Sequence, residues 1–169
     1  MQLQIIRQDI TKMECDAIVN ATNSALLPGG GSDAAMHRAA GPTLAAACRK
    51  VGSCPAGQAR LTRGYALSCK YVIHTVGPII TDSLTKTDKE LLSSCYRSCL
   101  ELAEKNGVKS IAFCCISTGE FHFPNDKAAE IAVQTVKDYR EQTKSDMEVI
   151  FNVFKDVDYE IYRGLLDAD

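Results

Sequence analysis

Residues 20–41 have the sequence NATNSALLPGGGSDAAMHRAAG, and this stretch contains the pattern on which the fold and chemistry of the chain depend. It follows an apolar run, passes two asparagines and three consecutive glycines, and reaches Asp33 ahead of an alanine-rich segment. A strand, a glycine-rich turn and a helix start can bind an anion, because glycine permits close approach and the first helical N–H groups are unpaired. The stretch therefore predicts a phosphate-binding loop, with a flexible loop that binds nothing as the alternative.

Apolar runs on both sides of this stretch predict strands at residues 3–6, 17–20, 59–62, 70–76, 110–116 and 147–154. Helical spacing and cap signals predict five helices: from a cap at Ser32 or Asp33 to Ala40, from Pro42 to Gly52, from a capping box at residues 87–90 to Asn106, from Pro124 onward, and after a cap at Asp156 or Asp158. Several strands lack polar alternation, as in a sheet covered on both faces. The pattern predicts an α/β fold of three layers with helices around a central sheet.

Ligands of such sheets lie beyond the carboxyl ends of the strands. This rule brings three turns to one edge, those that follow Asn20, Ile116 and the last strand near Phe154. The second turn, Ser117, Thr118 and Gly119, can supply backbone N–H donors like those of the glycine triplet. The two turns together can hold a diphosphate without a lysine, although neither matches a P-loop or a Rossmann fingerprint.

The composition is that of an ordinary globular protein, with 46% hydrophobic residues, 24% charged residues and a net charge of −2. There is no basic excess of the kind that favours DNA binding, so we expect no sequence-specific nucleic acid partner. No apolar run approaches the length of a membrane helix, and no leader pattern is present, so we expect a cytoplasmic protein without a membrane partner. The length fits one domain, over residues 1–169, and we expect a monomer.

The eight cysteines lie mainly within apolar patterns and include no CxxC pair. Free cysteine behaves there as a small hydrophobic residue, so we expect reduced thiols, no bound metal and no cofactor. The spacing of Cys95 and Cys99 fits a buried helix face better than a metal site. Phe121, Phe123 and Phe154 are expected in the core, although any of them exposed at the edge could stack on a base.

Four polar residues near the glycine loop each have two possible interpretations. Asp33 is a candidate helix cap, or an acid that acts on water or a sugar hydroxyl. Asn20 and Asn23 suit turns and also suit hydrogen bonds to ribose hydroxyls. His37 can face the site or the core, whereas His74, inside an apolar strand, is expected to be a core histidine.

Five segments, QDIT (8–11), DAIVNATN (16–23), LLPGGGSDAAMHRAAGP (26–42), CPAGQARLTRGYALSCKYVIHTVGP (54–78) and CISTGEFHFP (115–124), closely resemble a macrodomain. The match keeps motif order and spacing over nearly the whole chain. It is most similar to the MacroD-type branch, which hydrolyses mono-ADP-ribose from modified proteins and deacetylates O-acetyl-ADP-ribose. The resemblance implies a three-layer α/β/α macrodomain with a mixed, mostly parallel central sheet. It also implies a metal-independent hydrolase whose partners are ADP-ribose and ADP-ribosylated proteins.

The resemblance implies a role for each matching residue. Asp9 would accept a hydrogen bond from the adenine amine beside the Ile10 backbone, and Asn152 and Phe154 would lie near the adenine and its ribose. Asn20 and Asn23 would face the distal ribose, with Asn23 hydrogen-bonding its hydroxyls as a catalytic residue, and Phe121 would orient that ribose. Asp33 would position or activate the attacking water. The diphosphate would be held by backbone N–H groups of both turns, namely Gly29, Gly30, Gly31, Ser117, Thr118, Gly119 and Glu120.

Three positions depart from the family, which usually has glycine where this chain has Gln8, Pro28 and Ala34. Ala34 adds a methyl group near the expected position of the ribose and water, and Pro28 stiffens the loop. A module that binds ADP-ribose or its polymer without hydrolysis is the main alternative, because a fold alone does not determine function. An ADP-ribosylated nucleic acid end as substrate is a third possibility.

Overall fold

The computed structural model describes residues 2–167, and these form one mixed sheet of six strands with helices on both faces. The strands are β1 (Leu3–Arg7), β2 (Ala17–Ala21), β3 (Ala59–Arg63), β4 (Tyr71–Thr75), β5 (Ser110–Phe113) and β6 (Glu148–Val153). Their order across the sheet is β1-β6-β5-β2-β4-β3. All neighbours are parallel except β3, which runs antiparallel to β4. The predicted fold class, a mixed and mostly parallel sheet in three layers, is confirmed.

The helices are α1 (Gly31–Ala40), α2 (Pro42–Val51), α3 (Lys86–Lys105), α4 (Asn125–Thr143) and α5 (Asp156–Asp167), with a short 3-10 helix at Ile10–Lys12. Side chains alternate between two apolar clusters. Val19, Phe113 and Phe151 face α3, α4 and α5, whereas Ile18 and Ile150 face α1 and α2. Burial on both faces explains the continuous apolar runs. No helix within residues 2–167 is both long and apolar enough to cross a membrane.

Several predicted element ends are wrong. The capping box is formed by Thr85 and Asp88, so α3 begins at Lys86 and the expected box at residues 87–90 is incorrect. The N-cap of α1 is Gly30, without a side-chain cap bond, and neither Ser32 nor Asp33 occupies that position. Strand β5 ends at Phe113 instead of continuing to residue 116. All eight cysteines are free thiols, as predicted.

Candidate ligand-binding cleft

Two adjoining cavities form a cleft at the carboxyl ends of the parallel strands. The larger has a volume of about 550 Å³ and the smaller of about 120 Å³. Both are lined by the same four residues at their junction: Gly31, Ser32, Cys115 and Gly119. The start of α1 therefore lies where the two cavities meet. Since α1 has no side-chain cap, its first N–H groups are available to an anion in the cleft.

The larger cavity contains most of the residues predicted to surround a base and its ribose. Its lining includes Asp9, Ile10, Asn152 and Phe154, together with Thr118, Gly31 and Gly119. The Thr11 hydroxyl and N–H donate to Asp9 Oδ1 over 2.7 and 3.0 Å, and the side-chain bond is the main reason that the pKa of Asp9 is lowered. An ionised carboxylate accepts hydrogen bonds only, which suits an amine on the ligand.

Phe154 is not a core residue, because 76% of its surface is exposed at the edge of the larger cavity. Strand β6 ends one residue earlier, at Val153, so the Phe154 side chain leaves the sheet. Phe123 is buried as expected, and Phe121 is half-buried and lines the smaller cavity. Asn152 is buried and donates through Nδ2 to the Gln8 carbonyl over 3.0 Å, while its Oδ1 atom has no partner.

The smaller cavity is lined by both polar turns. Gly30, Gly31, Ser117, Gly119, Glu120 and Phe121 contribute to its wall. The turns approach closely, since a Cβ atom on Gly30 would lie 2.6 Å from Glu120 Oε1. Ser117 has a φ of 67° and donates through Oγ to the Pro78 carbonyl over 3.1 Å. These contacts hold the second turn against the segment that follows β4.

Asp33 lies behind the glycine loop and does not line either cavity. It is 4% exposed, and its Oδ2 accepts from the Gly29 N–H over 2.8 Å and from the Thr22 hydroxyl over 3.3 Å. Its Oδ1 accepts from Asn20 Nδ2 over 2.8 Å and lies 3.4 Å from His37 Nε2. The carboxylate therefore fixes the entry of the glycine loop and has donors on both oxygens.

The two predicted asparagines have different surroundings. Asn20 is buried beneath Asp33, and its Oδ1 has no partner. Asn23 is half-buried and donates through Nδ2 to the Leu27 carbonyl over 2.7 Å, while its Oδ1 accepts from the Leu27 N–H over 3.1 Å. Asn20, Asn23 and Gly29 line neither of the two cavities of the cleft. Asn20 thus supports Asp33, and Asn23 shapes the loop that precedes the glycines.

His74 extends this polar network into the core. Asn20 Nδ2 lies 2.8 Å from an acceptor-only carboxylate oxygen and 3.2 Å from His74 Nδ1, so it donates to both. His74 Nε2 therefore carries the proton and lies 2.9 Å from the Thr62 hydroxyl, which donates to the Arg63 carbonyl over 3.1 Å. The prediction that His74 is a hydrogen-bonded core residue is confirmed.

The buried imidazole predicts a pH dependence of stability. Burial lowers the pKa of His74 from 6.5 to about 4, against the opposing attraction of Asp33. The unfolded chain therefore takes up this proton at a higher pH than the folded chain, and stability falls as the pH drops from 6.5 toward 4. We expect the free energy of unfolding to fall by about 1 kcal/mol between pH 6.5 and about pH 5.5. Urea denaturation measures this change, and a His74→Asn variant that retains the same pH slope contradicts the assignment.

Sequence reasoning missed several cavity residues. Gly77 follows β4, whose parallel pairing with β2 brings its carboxyl end to the same edge. Its Gly-Pro signal could have identified a fourth turn there. Cys114 and Cys115 were assigned to a strand but line the larger cavity. Burial raises the pKa of both thiols, so they remain uncharged. Ser32 and Asp158 were predicted only as possible helix caps, and Lys155 had no pattern that distinguished it from surface residues, although all three line the larger cavity.

Comparison with known proteins identifies relatives along almost the whole chain. The Macro domain family model matches residues 19–132. ADP-ribose glycohydrolase MACROD2 of Xenopus laevis is 49% identical over 98% of the chain, which spans only 40% of that relative's length. A macro domain-containing protein of Ralstonia nicotianae is 48% identical, with 98% of this chain and 94% of the relative covered. A crystal structure of a Trypanosoma brucei macrodomain in complex with ADP-ribose superposes with a TM-score of 0.91 at 39% identity, covering 98% of this chain and 69% of that one.

Proposed function

The chain belongs to the macrodomain family, and from this premise we propose that it binds ADP-ribose and hydrolyses mono-ADP-ribosyl esters. The substrates are aspartate- and glutamate-linked ADP-ribose on proteins, O-acetyl-ADP-ribose, or both. Water is added across the ester, which releases ADP-ribose and the free carboxylate. The relatives named as ADP-ribose glycohydrolases and the ADP-ribose complex of a similar macrodomain support this proposal. We further propose that the protein acts in the cytoplasm as a monomer.

The main support for ADP-ribose binding is the continuous cleft across the start of α1. Its larger cavity suits adenosine, with Asp9 as acceptor for the adenine amine and Phe154 against the base. The junction at Gly31 and Ser32 suits the diphosphate, because an uncapped helix N-terminus favours negative charge. The smaller cavity then receives the distal ribose beside Phe121.

In this arrangement Asp33 acts by position. Its bond to the Gly29 N–H fixes the loop that holds the distal ribose and the attacking water. The diphosphate, gripped by both turns, keeps the ester carbon next to that water. The two Asp33 oxygens already accept hydrogen bonds from Asn20, Gly29 and Thr22, so a proton transferred to Asp33 would compete with these donors. A phosphate oxygen of the ligand is a second acceptor for that proton.

The same burial of Asp33 favours a second candidate function, a module that binds ADP-ribose without hydrolysis. A carboxylate that is only 4% exposed and lies outside both cavities is poorly placed to activate a water in the cleft. Incubation with a glutamate-linked ADP-ribosyl peptide and with O-acetyl-ADP-ribose separates the two functions. Release of ADP-ribose from either substrate supports the hydrolase, and tight binding without release from either supports the binding module.

Phe154 provides a test of the adenosine assignment. Replacing it with alanine is expected to weaken ADP-ribose binding by about tenfold, because base stacking on an aromatic ring contributes about 1–3 kcal/mol. Stability should change little, since the side chain is mostly exposed. Calorimetric titration with ADP-ribose measures the loss. Val157→Ala, at a neighbouring residue that is 53% exposed and does not line the cavity, is the matched control, and equal losses in both variants contradict the assignment.

A further inference from the structure

The charges of the chain are unevenly distributed. Residues 34–81 contain six of the 19 lysines and arginines and none of the 21 aspartates and glutamates. This segment therefore has a net charge of +6, whereas the rest of the chain has −8. The nearly neutral net charge of the chain is therefore the sum of a strongly basic segment and an acidic remainder. Such a local field attracts anionic partners even when the whole protein is slightly acidic.

The fold gathers this segment at one end of the molecule. It forms most of α1, all of α2, and the strands β3 and β4 at one side of the sheet. The six basic residues are exposed, apart from half-buried Arg60. None of them forms an ion pair with a carboxylate among residues 2–167; they are Arg38, Arg49, Lys50, Arg60, Arg63 and Lys70. Their charge is therefore available to a partner.

Three of these residues, Arg49, Lys50 and Arg60, lie at or near the end of α2, and we refer to them as the basic rim. Arg49 and Lys50 occupy the last turn of α2. Arg60 donates through Nε to the Ser53 carbonyl over 3.1 Å, just beyond the end of that helix.

Main-chain bonds connect the basic rim to the cleft. The Cys54 N–H donates to the Ser24 carbonyl over 2.9 Å, which joins the end of α2 to the loop that carries the glycines. Ala59, next to Arg60, pairs with Thr75, which lies two residues before the cavity residue Gly77. The basic rim therefore lies on the β4 side of the cleft, which is also the side of the smaller cavity.

We propose that the basic rim binds acidic polypeptide segments that flank the ADP-ribosylated carboxylate of the substrate. This inference rests on the proposed function, because it requires the acceptor chain to leave the cleft at the smaller cavity. Acceptors of ester-linked ADP-ribose are themselves aspartates and glutamates. A surface that adds long-range attraction for neighbouring acids raises the association rate and selects acidic acceptors over neutral ones. A long nucleic acid, by contrast, would also meet the −8 charge of the remaining chain.

Charge reversal of the basic rim tests this proposal. The variant Arg49→Glu/Lys50→Glu is compared with the wild type on three substrates: a glutamate-linked ADP-ribosyl peptide with flanking acids, the same linkage in a neutral peptide, and O-acetyl-ADP-ribose. We expect KM for the acidic peptide to rise about tenfold, because the variant loses two exposed ion pairs whose interaction free energies add. KM for O-acetyl-ADP-ribose and kcat for all substrates should stay within about twofold. The wild-type preference for the acidic peptide should also shrink at high salt.

Lys105→Glu/Lys109→Glu is the matched control, since it reverses two exposed lysines around the end of α3, away from the cleft. Arg49→Gln/Lys50→Gln removes the charges without adding acids to a helix C-terminus and should give a smaller rise in KM.

Equal effects on all three substrates, or none on the acidic peptide, overturn the proposal. The proposal is also overturned if the charge-reversed variant has an unchanged KM for the acidic peptide but loses affinity for a mixed-sequence single-stranded oligonucleotide. That result would show that the basic rim binds nucleic acid. If the wild type hydrolyses no substrate, the proposed function fails, and affinity for the intact acidic peptide then tests the rim.

Discussion

Asp33→Asn is expected to reduce hydrolysis of a glutamate-linked ADP-ribosyl peptide by about 10²-fold. The amide puts an NH₂ group where a carboxylate oxygen accepts either from Asn20 or from Gly29 and Thr22. A donor then faces a donor, and the glycine loop loses its fixed entry. ADP-ribose affinity should change by less than about tenfold, because the adenosine contacts of the larger cavity remain. Single-turnover hydrolysis and calorimetric titration give the two values.

Asp16→Asn is the control for this variant. Asp16 also accepts a backbone hydrogen bond, from the Lys109 N–H to Oδ2 over 2.7 Å. It directly precedes β2, however, and therefore lies at the amino ends of the parallel strands, away from the cleft. The control should hydrolyse the peptide at the wild-type rate. Wild-type hydrolysis by Asp33→Asn contradicts the positioning role of Asp33. A matched loss in both variants attributes the effect to stability alone.

Gly77→Ala is expected to have the second largest effect. A Cβ atom on Gly77 would lie 1.8 Å from Ser117 Oγ and 3.0 Å from Ile116 Cγ2. Ser117 is buried and bonded to the Pro78 carbonyl, so the second turn must move away from the cleft. We expect a loss of about 1–3 kcal/mol in stability from overpacking. ADP-ribose affinity should fall by about tenfold or more, because Phe121 and the N–H donors of that turn move with Ser117.

The double variant Gly77→Ala/Ser117→Gly provides a rescue. Glycine at position 117 removes the clashing Oγ and Cβ atoms and tolerates the φ of 67°. It should recover part of the lost affinity, because the contact with Ile116 remains and the hydrogen bond from Ser117 to the Pro78 carbonyl is lost. Gly164→Ala, inside α5 with nothing within 4 Å of its Cβ position, should leave affinity unchanged. Failure of the rescue would show that the clash with Ser117 is not the cause.

The sequence predicted the sheet well because burial on both faces leaves a clear signature. The apolar runs in β2, β4 and β6 correspond to strands whose side chains alternate between two cores. Element ends were less predictable, since several residues near an end can serve as caps. Thr85 and Asp88 satisfy the capping box of α3, although Thr87 and Glu90 offer the same residue pattern.

The parts of the cleft formed by polar turns after parallel strands could be predicted from the sequence. Side chains whose positions depend on residues distant in the sequence could not. Local spacing identified the glycine triplet and the turn at Ser117, and Gly30, Gly31, Ser117 and Gly119 from these turns line the smaller cavity. It could not show that Asp33 lies behind the loop, because that position depends on Asn20 from a different element. Nor could it distinguish exposed Phe154 from buried Phe123, since both are aromatic residues near strand or helix ends.

We expect one cleft both to bind ADP-ribose and to hydrolyse its ester. Steady-state hydrolysis of the glutamate-linked ADP-ribosyl peptide is measured with added free ADP-ribose. We predict release of one ADP-ribose for each ester consumed, and competitive inhibition by free ADP-ribose with a constant equal to its calorimetric Kd. Absence of release, or hydrolysis that saturating ADP-ribose does not inhibit, would contradict the claim.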